Sequence, residues 1–270
     1  MKTITFAPNS ELTLIDNCAF ASLPIESIVI PPRVTTIGED AFKDCKNLKN
    51  IIFSPDSELS MISKNAFASL PIESITIPQY VTIIGEGAFK QCQNLQKIIF
   101  SDNSELCTIE AYAFSSIAIA SITFPRHVKY IGEECIRNCQ QLTRIDFLPN
   151  SDHCVIDNRA FSFSLIDSFT FPQHITSIGS HVFNNCKNLK KIDFSPNSEL
   201  RYINEYAFCN LQIESILIPK HVKRIGSNAF RECNQLKSVV FQPDSELIEI
   251  GISSFRESAI ESITIPSHVK

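Results

Sequence analysis

The glycines and cysteines of this chain recur at one fixed interval, and that interval limits what the chain can fold into. Gly38, Gly85, Gly132, Gly179 and Gly226 stand 47 residues apart, and Cys45, Cys92, Cys139, Cys186 and Cys233 do the same. Pro31, Pro78, Pro125, Pro172, Pro219 and Pro266 form a third column with that spacing. A period of this size, held along the whole chain, specifies stacked coils, each of which buries its apolar side against its neighbours.

Each period contains two apolar segments, so coils of 23 and 24 residues alternate. Counting from Met1, Ile25, Leu48, Ile72, Leu95, Ile119, Leu142, Ile166, Leu189, Ile213, Leu236 and Ile260, positions 1, 4 and 6 are apolar throughout. Odd segments read LxxIxF (Leu48, Ile51, Phe53) and even ones IxSIxIP (Ile72, Ile75, Ile77, Pro78). That spacing is the signature of leucine-rich repeats, with one strand per coil. Pro78 and its column cannot donate to a ladder and so end the pairing. Gly85 and its column are expected at positive φ, where only glycine is free of strain. Ala88, Phe89 and Cys92 fall on one face at helical spacing, which predicts a short helical turn. Phe20, Phe67, Phe114, Phe161, Phe208 and Phe255 make one aromatic column, and Phe42, Phe89, Phe183 and Phe230 a second, interrupted by Ile136. Crossovers between parallel strands wind right-handed. The expected fold is therefore α/β: a right-handed leucine-rich-repeat solenoid, one domain over residues 1–270, with twelve short parallel strands on the concave face and short helical turns on the convex side.

A net charge of −5 supplies no basic surplus for nucleic acid. No apolar run approaches the roughly 18 residues of a membrane span, and MKTITFAPNSEL reads as a first strand and turn rather than a signal peptide. Column cysteines lie two coils apart, about 10 Å by strand spacing, beyond the roughly 7 Å that a disulfide allows. They are read as buried, reduced thiols packing as small hydrophobes. Cys135 and Cys139 lack further ligands at zinc spacing, and neither metal nor cofactor is expected.

The run Ala88-Phe89, Cys92, Leu95, Ile98, Phe100, together with Val128 and Ile131-Gly132, resembles the BspA-like leucine-rich repeat family over essentially the whole chain. The Ser-Glu-Leu inserts after alternate strands (Ser57-Glu58-Leu59, Ser198-Glu199-Leu200) are similar to those of members expanded in trichomonad parasites. The resemblance implies a surface-associated, adhesin-like protein that binds host or matrix proteins, located at the cell surface or secreted. It carries over no catalytic motif, so a non-enzymatic protein-binding module is expected. The missing signal leaves a second reading open, a cytoplasmic leucine-rich-repeat scaffold or regulatory binding protein.

The outward strand positions supply the candidate site. At position 2 the charges alternate in sign (Lys2, Glu26, Lys49, Glu73), a ladder suited to fixing register. Position 3 concentrates its charges in the middle coils, at Lys97, Arg144 and Lys191, and position 5 adds Asp146 and Asp193 there. Ile52, Ile99, Leu217 and Val240 are apolar at position 5, where burial does not require it. These nine residues form the expected partner site; the competing expectation is plain solvated sheet. Arg33, Tyr80, His127, His174, His221 and His268 make a rim column, read either as a pH sensor or as a loop position tolerant of any polar side chain. Uncapped strands at Met1-Phe6 and Ile260-Ile265 predict a homo-oligomer formed through the ends.

Overall fold

A computed structural model describes residues 3–270. Met1 and Lys2, which the sequence places in the first strand and the charge ladder, lie outside the described residues. The chain forms a parallel-strand solenoid in which every coil has three legs.

The front leg carries the expected strands, from Thr3–Ile4 and Ser27–Ile30 to Ser238–Phe241 and Ser262–Ile263. Their alternation puts position 4 and position 6 inside, as at Ile75 and Ile77, and position 5 outside, as at Thr76. The second leg was not expected: strands of two to four residues, from Leu14–Ile15 to Glu249–Ile250, join in one unbroken sheet of eleven. Each contributes an inward isoleucine, Ile37, Ile62, Ile84, Ile109 and Ile131 among them, all fully buried.

In alternate coils that isoleucine is followed by the column glycine, as at Ile84-Gly85 and Ile131-Gly132, for a reason other than the expected one. Among the described glycines, positive φ falls on Gly87 and not on this column. A Cβ on Gly132 would instead meet the backbone of the preceding coil at Ala111 N and Glu110 C, both 2.6 Å away. The column marks a close approach of one coil to the next. Gly132 N donates to Ile109 O at 2.8 Å across the same contact.

The third leg corrects the helical turns. Among the described residues no segment is helical. The leg is a pair of turns with a left-handed residue in each, four positions apart, as at Asn65 (φ 50°) and Ser69 (φ 59°), or Tyr112 (φ 58°) and Ser116 (φ 60°). Alternate amides bond locally, Ala66 N to Ser63 O and Ala68 N to Asn65 O, while those between reach the next coil. Asn65 N donates to Glu86 O, Phe67 N to Ala88 O and Ser69 N to Lys90 O, at 2.8 to 2.9 Å. An α-helix would send each amide four residues back along its own segment. A lone turn gains little from that arrangement, whereas the stack offers a carbonyl to each outward amide. Asn and Asp are among the residues that tolerate the left-handed region best, and they recur here at Asp40, Asp44, Asn138, Asn185 and Asn210.

Inside, the two phenylalanine columns interleave as a single ladder. Phe20, Phe42, Phe67, Phe89 and Phe114 stack in succession with centroids 5.3 to 5.5 Å apart. After Ile136 the ladder resumes from Phe161 and runs to Phe255. The column cysteines lie beside it, free and buried. Each donates its thiol to a phenylalanine carbonyl of the preceding coil, Cys92 Sγ to Phe67 O at 3.1 Å and Cys233 Sγ to Phe208 O at 3.1 Å. Burial pushes the thiols of Cys92, Cys139 and Cys233 up to about 12, which keeps them protonated as donors.

The front leg alone is discontinuous. Across each 23-residue step the strands pair over four residues, as from Ser121↔Arg144 to Phe124↔Phe147. Across the 24-residue step the pairing holds over two residues at the two ends, Thr3↔Ser27 and Ser238↔Ser262 among them, and fails after Asn50–Phe53, Lys97–Phe100, Arg144–Phe147 and Lys191–Phe194, leaving five small sheets. The link from front strand to second leg is two residues longer after odd strands, Phe53 to Ile62 against Ile77 to Ile84. On the odd strands before the first three breaks Ile51, Phe53, Ile98, Phe100, Ile145 and Phe147 are only half-buried, while Ile75, Ile77 and Phe124 of the even strands are buried.

Two predictions follow from these contacts. Gly132→Ala drives a methyl into backbone and should cost about 1–3 kcal/mol in urea unfolding, the range for overpacking, whereas at left-handed Gly87 a Cβ meets only the movable Asn65 Oδ1 at 2.5 Å, and Gly87→Asn, a residue that tolerates that conformation, should cost about 1 kcal/mol or less; a larger cost at Gly87 than at Gly132 would contradict the close-approach explanation. A thiol reagent on the native protein should modify exposed Cys18 first and half-buried Cys107 and Cys209 more slowly, sparing Cys92, Cys135 and Cys139 until denaturant is added. Rapid labelling of Cys92 in the native state would show the thiol donors to be misassigned.

Candidate functional site

The nine expected partner residues do lie on the front strands, facing out, but not as one patch. Ile52 sits opposite Val29 in register, and Val240 opposite Leu217. These apolar pairs are about half exposed, Val29 at 52%, Ile52 at 53%, Leu217 at 49% and Val240 at 52%. Ile99 pairs with Thr76 and is less exposed, and Lys97 pairs with Ser74. Between the two apolar pairs the middle strands carry ion pairs that run along a strand rather than across it. Arg144 Nε meets Asp146 Oδ2 at 2.6 Å, and Lys191 Nζ meets Asp193 Oδ2 at 2.8 Å. Exposed pairs of this kind contribute about 0–1 kcal/mol, so their effect here is to cancel charge locally rather than to concentrate a basic field.

The sequence reading missed a cleft beside the same strands. It lies at the break between Arg144–Phe147 and Ser168–Phe171 and measures about 1410 Å³. Its origin is a gap in a column of the sequence. Leu59, Leu106, Leu200 and Leu247 are fully buried in their coils, and at this position the chain has His153. His153 turns out to solvent, its side chain 70% exposed, and pairs with Glu199 at 3.0 Å.

The turn before it is rebuilt. In the leucine-bearing coils a buried serine accepts from the leucine amide, as Ser104 Oγ does from Leu106 N. Ser151 Oγ instead donates to Leu148 O at 2.6 Å. Cys154 N then bonds forward to His174 O, where Cys107 N bonds back to Thr82 O, and the register shifts by a bulge between Cys154 and Val155. Bulges of this kind re-aim the side chains beside them.

His174 is the side chain most affected. Arg33, Tyr80, His127, His221 and His268 of its column are exposed, but His174 is buried, packed edge-on to Phe147 with ring centroids 5.4 Å apart. Its Nε2 is buried and has no hydrogen-bond partner. Burial, reinforced by nearby His153, holds this imidazole below its ordinary value and so neutral at pH 7. The rest of the rim column divides accordingly: His127 bonds Asp152 at 3.2 Å and His221 bonds Glu246 at 2.8 Å, each reaching one coil on. Phe169 stands where the other even strands carry isoleucine and lines the cleft with Phe147 and Phe194. Among the described residues no cluster of three or more His, Cys, Asp or Glu is placed to hold a metal ion, and no helix is long and apolar enough to cross a membrane.

Solved structures share the architecture. The pneumococcal vaccine antigen PcpA superposes with a TM-score of 0.59 at 22% identity, over 96% of this chain and 78% of that one. A leucine-rich repeat protein from Bacteroides ovatus gives 0.55 at 24% identity, over 95% and 84%. One from Eubacterium ventriosum gives 0.56 at 21% identity, over 97% and 78%. A search of curated proteins finds no match. The family model described as the BspA type leucine rich repeat region matches six copies, over residues 1–72, 60–162 and 154–270. With matches that span nearly its whole length, the chain belongs to the BspA-type leucine-rich repeat family.

Proposed function

We propose that this protein is a non-enzymatic, adhesin-like binding module whose 270 residues act as one solenoid, presenting the front strands to host or matrix proteins at a cell surface. The observation that carries this reading is the pair of apolar cross-strand contacts, Val29 with Ile52 and Leu217 with Val240, left half exposed on a face that has no structural need of them. The ion pairs of Arg144 with Asp146 and Lys191 with Asp193 lie between them, giving the face apolar anchors with a neutralised polar middle. Protein interfaces have this composition more often than nucleic-acid surfaces do, which are basic. The likeness to a bacterial vaccine antigen supports the surface location.

A second reading rests on a different observation. Every described cysteine is free, including exposed Cys18, and unbridged thiols are commoner where the compartment is reducing. An intracellular scaffold of the same fold would use the same face.

One pair of experiments tests both. Purified chain should bind at least one protein of an immobilised matrix panel (fibronectin, laminin, type IV collagen) saturably, and L217D/V240D should weaken that binding by roughly tenfold or more, as removal of an apolar anchor does. Absence of binding to all three, or binding indifferent to the double substitution, would contradict the adhesive reading. Protease treatment of intact source cells should remove the chain; a band protected until lysis would favour the intracellular scaffold.

A further inference from the structure

We infer that the cleft between Arg144–Phe147 and Ser168–Phe171 is an anchor site for an aromatic side chain with a hydrogen-bonding tip, a tyrosine on an extended segment of a partner protein. The inference rests on the protein-binding reading above and names what the partner brings.

The site is made by substitution rather than by irregularity. One buried leucine of a regular column is exchanged for outward His153, and the serine, the backbone register and the next histidine of the rim column all change with it. A defect in packing would be expected to collapse; here Cys154 closes the core behind the gap, fully buried, and the cleft stays open in front.

The walls specify the ligand. Phe147, Phe169, Phe194 and Pro172 give the cleft an aromatic patch set among polar walls; the patch favours an aromatic body in edge or offset contact, and the walls favour a body with a polar tip. His174 belongs to the same lining, and its Nε2, buried beneath the cleft surface, has no hydrogen-bond partner. A buried nitrogen of this kind is destabilising while unbonded, so a ligand that bonds it recovers part of that cost. A neutral imidazole nitrogen both accepts and donates according to tautomer, and the terminal torsion of histidine is soft enough to turn it toward an entering group. A phenol meets both requirements, whereas leucine or phenylalanine leaves the nitrogen unbonded and lysine brings no ring to the aromatic patch.

The rim excludes other classes. Its cations are paired, Arg144 with Asp146 and Lys129 with Asp152, and Asp167 and Glu199 add a carboxylate surplus, so no basic field is present to select a phosphate or an acidic peptide. The cleft also exceeds the roughly 300–1,000 Å³ of an ordinary small-molecule pocket, and so accommodates a length of chain around the anchoring ring.

The test uses the full chain and synthetic probes. By NMR, the pentapeptide Ala-Ser-Tyr-Ser-Ala should shift resonances of Phe147, Phe169 and His174 saturably, and its phenylalanine counterpart should bind roughly three- to tenfold more weakly, the worth of one hydrogen bond. His153→Leu restores the column and is expected to fold at least as well as the parent, yet to lose roughly tenfold or more of the affinity as the gap fills. Equal binding by the two peptides, undiminished binding by H153L, or shifts with N-acetyltyrosinamide but not with the peptide would each overturn the inference. L217D/V240D separates it from the broader reading: loss of matrix binding in that variant with retention in H153L would leave the adhesive face standing and remove the cleft from it. Tyrosine-peptide binding that H153L loses, without binding to any matrix protein, would do the reverse.

Discussion

Coil-to-coil hydrogen bonding on two of the three legs is the constraint on which the rest of this molecule depends. Along the second leg the eleven-stranded sheet is unbroken, and along the turn leg alternate amides bond to the following coil, as from Phe67 N to Ala88 O and from Phe89 N to Ala113 O. These ladders hold adjacent coils at strand spacing, and the glycine column permits the approach, with Gly179 so placed that a Cβ would lie 2.4 Å from Asp157 C. The phenylalanine ladder and the thiol donors then pack to the same repeat. Each buried backbone group must find a partner, and in a coil this short the neighbour supplies it.

The front leg is held less strictly, and variation collects there. Between its two ends its strands pair across one step and part across the next, so it can carry exposed apolar residues, charged pairs and a cleft without disturbing the stack. A scaffold fixed on two sides and free on the third suits an architecture that the solved structures share with this chain at only 21 to 24% identity.

Much of this was legible in the residues. The columns gave the solenoid, the parallel front strands, the inward positions 4 and 6 and the buried thiols, because each depends on a side-chain type repeated in register. The second sheet was not legible: a pair such as Thr36–Ile37 is too short to show a period of two. The turn leg was misread because Ala88, Phe89 and Cys92 satisfy one helical turn and a pair of tight turns equally; the recurring Asn and Asp at left-handed positions were the available signal. Gly132 was assigned its usual conformational role when the constraint was steric. The one sequence mark of the cleft is His153, which breaks the column of Leu59, Leu106, Leu200 and Leu247, and a single polar residue in a loop column does not by itself tell a cleft from a tolerated surface position. What no column could show was that His174 turns inward while its counterparts His127 and His221 stay outside.

Native-state hydrogen exchange, resolved by peptide mass spectrometry, addresses the dominance of these two ladders most directly. Peptides covering the turn leg (residues 65–69, 87–91 and 112–116) and the second leg (residues 83–85, 108–110 and 130–132) should exchange slowest. Peptides confined to the front strands beside the breaks, Ser74–Ile77, Ser121–Phe124 and Ser168–Phe171, should exchange roughly tenfold or more faster through local opening. Front strands protected as well as the other two legs, or turn legs that exchange first, would show that the stack is held together by a different set of bonds.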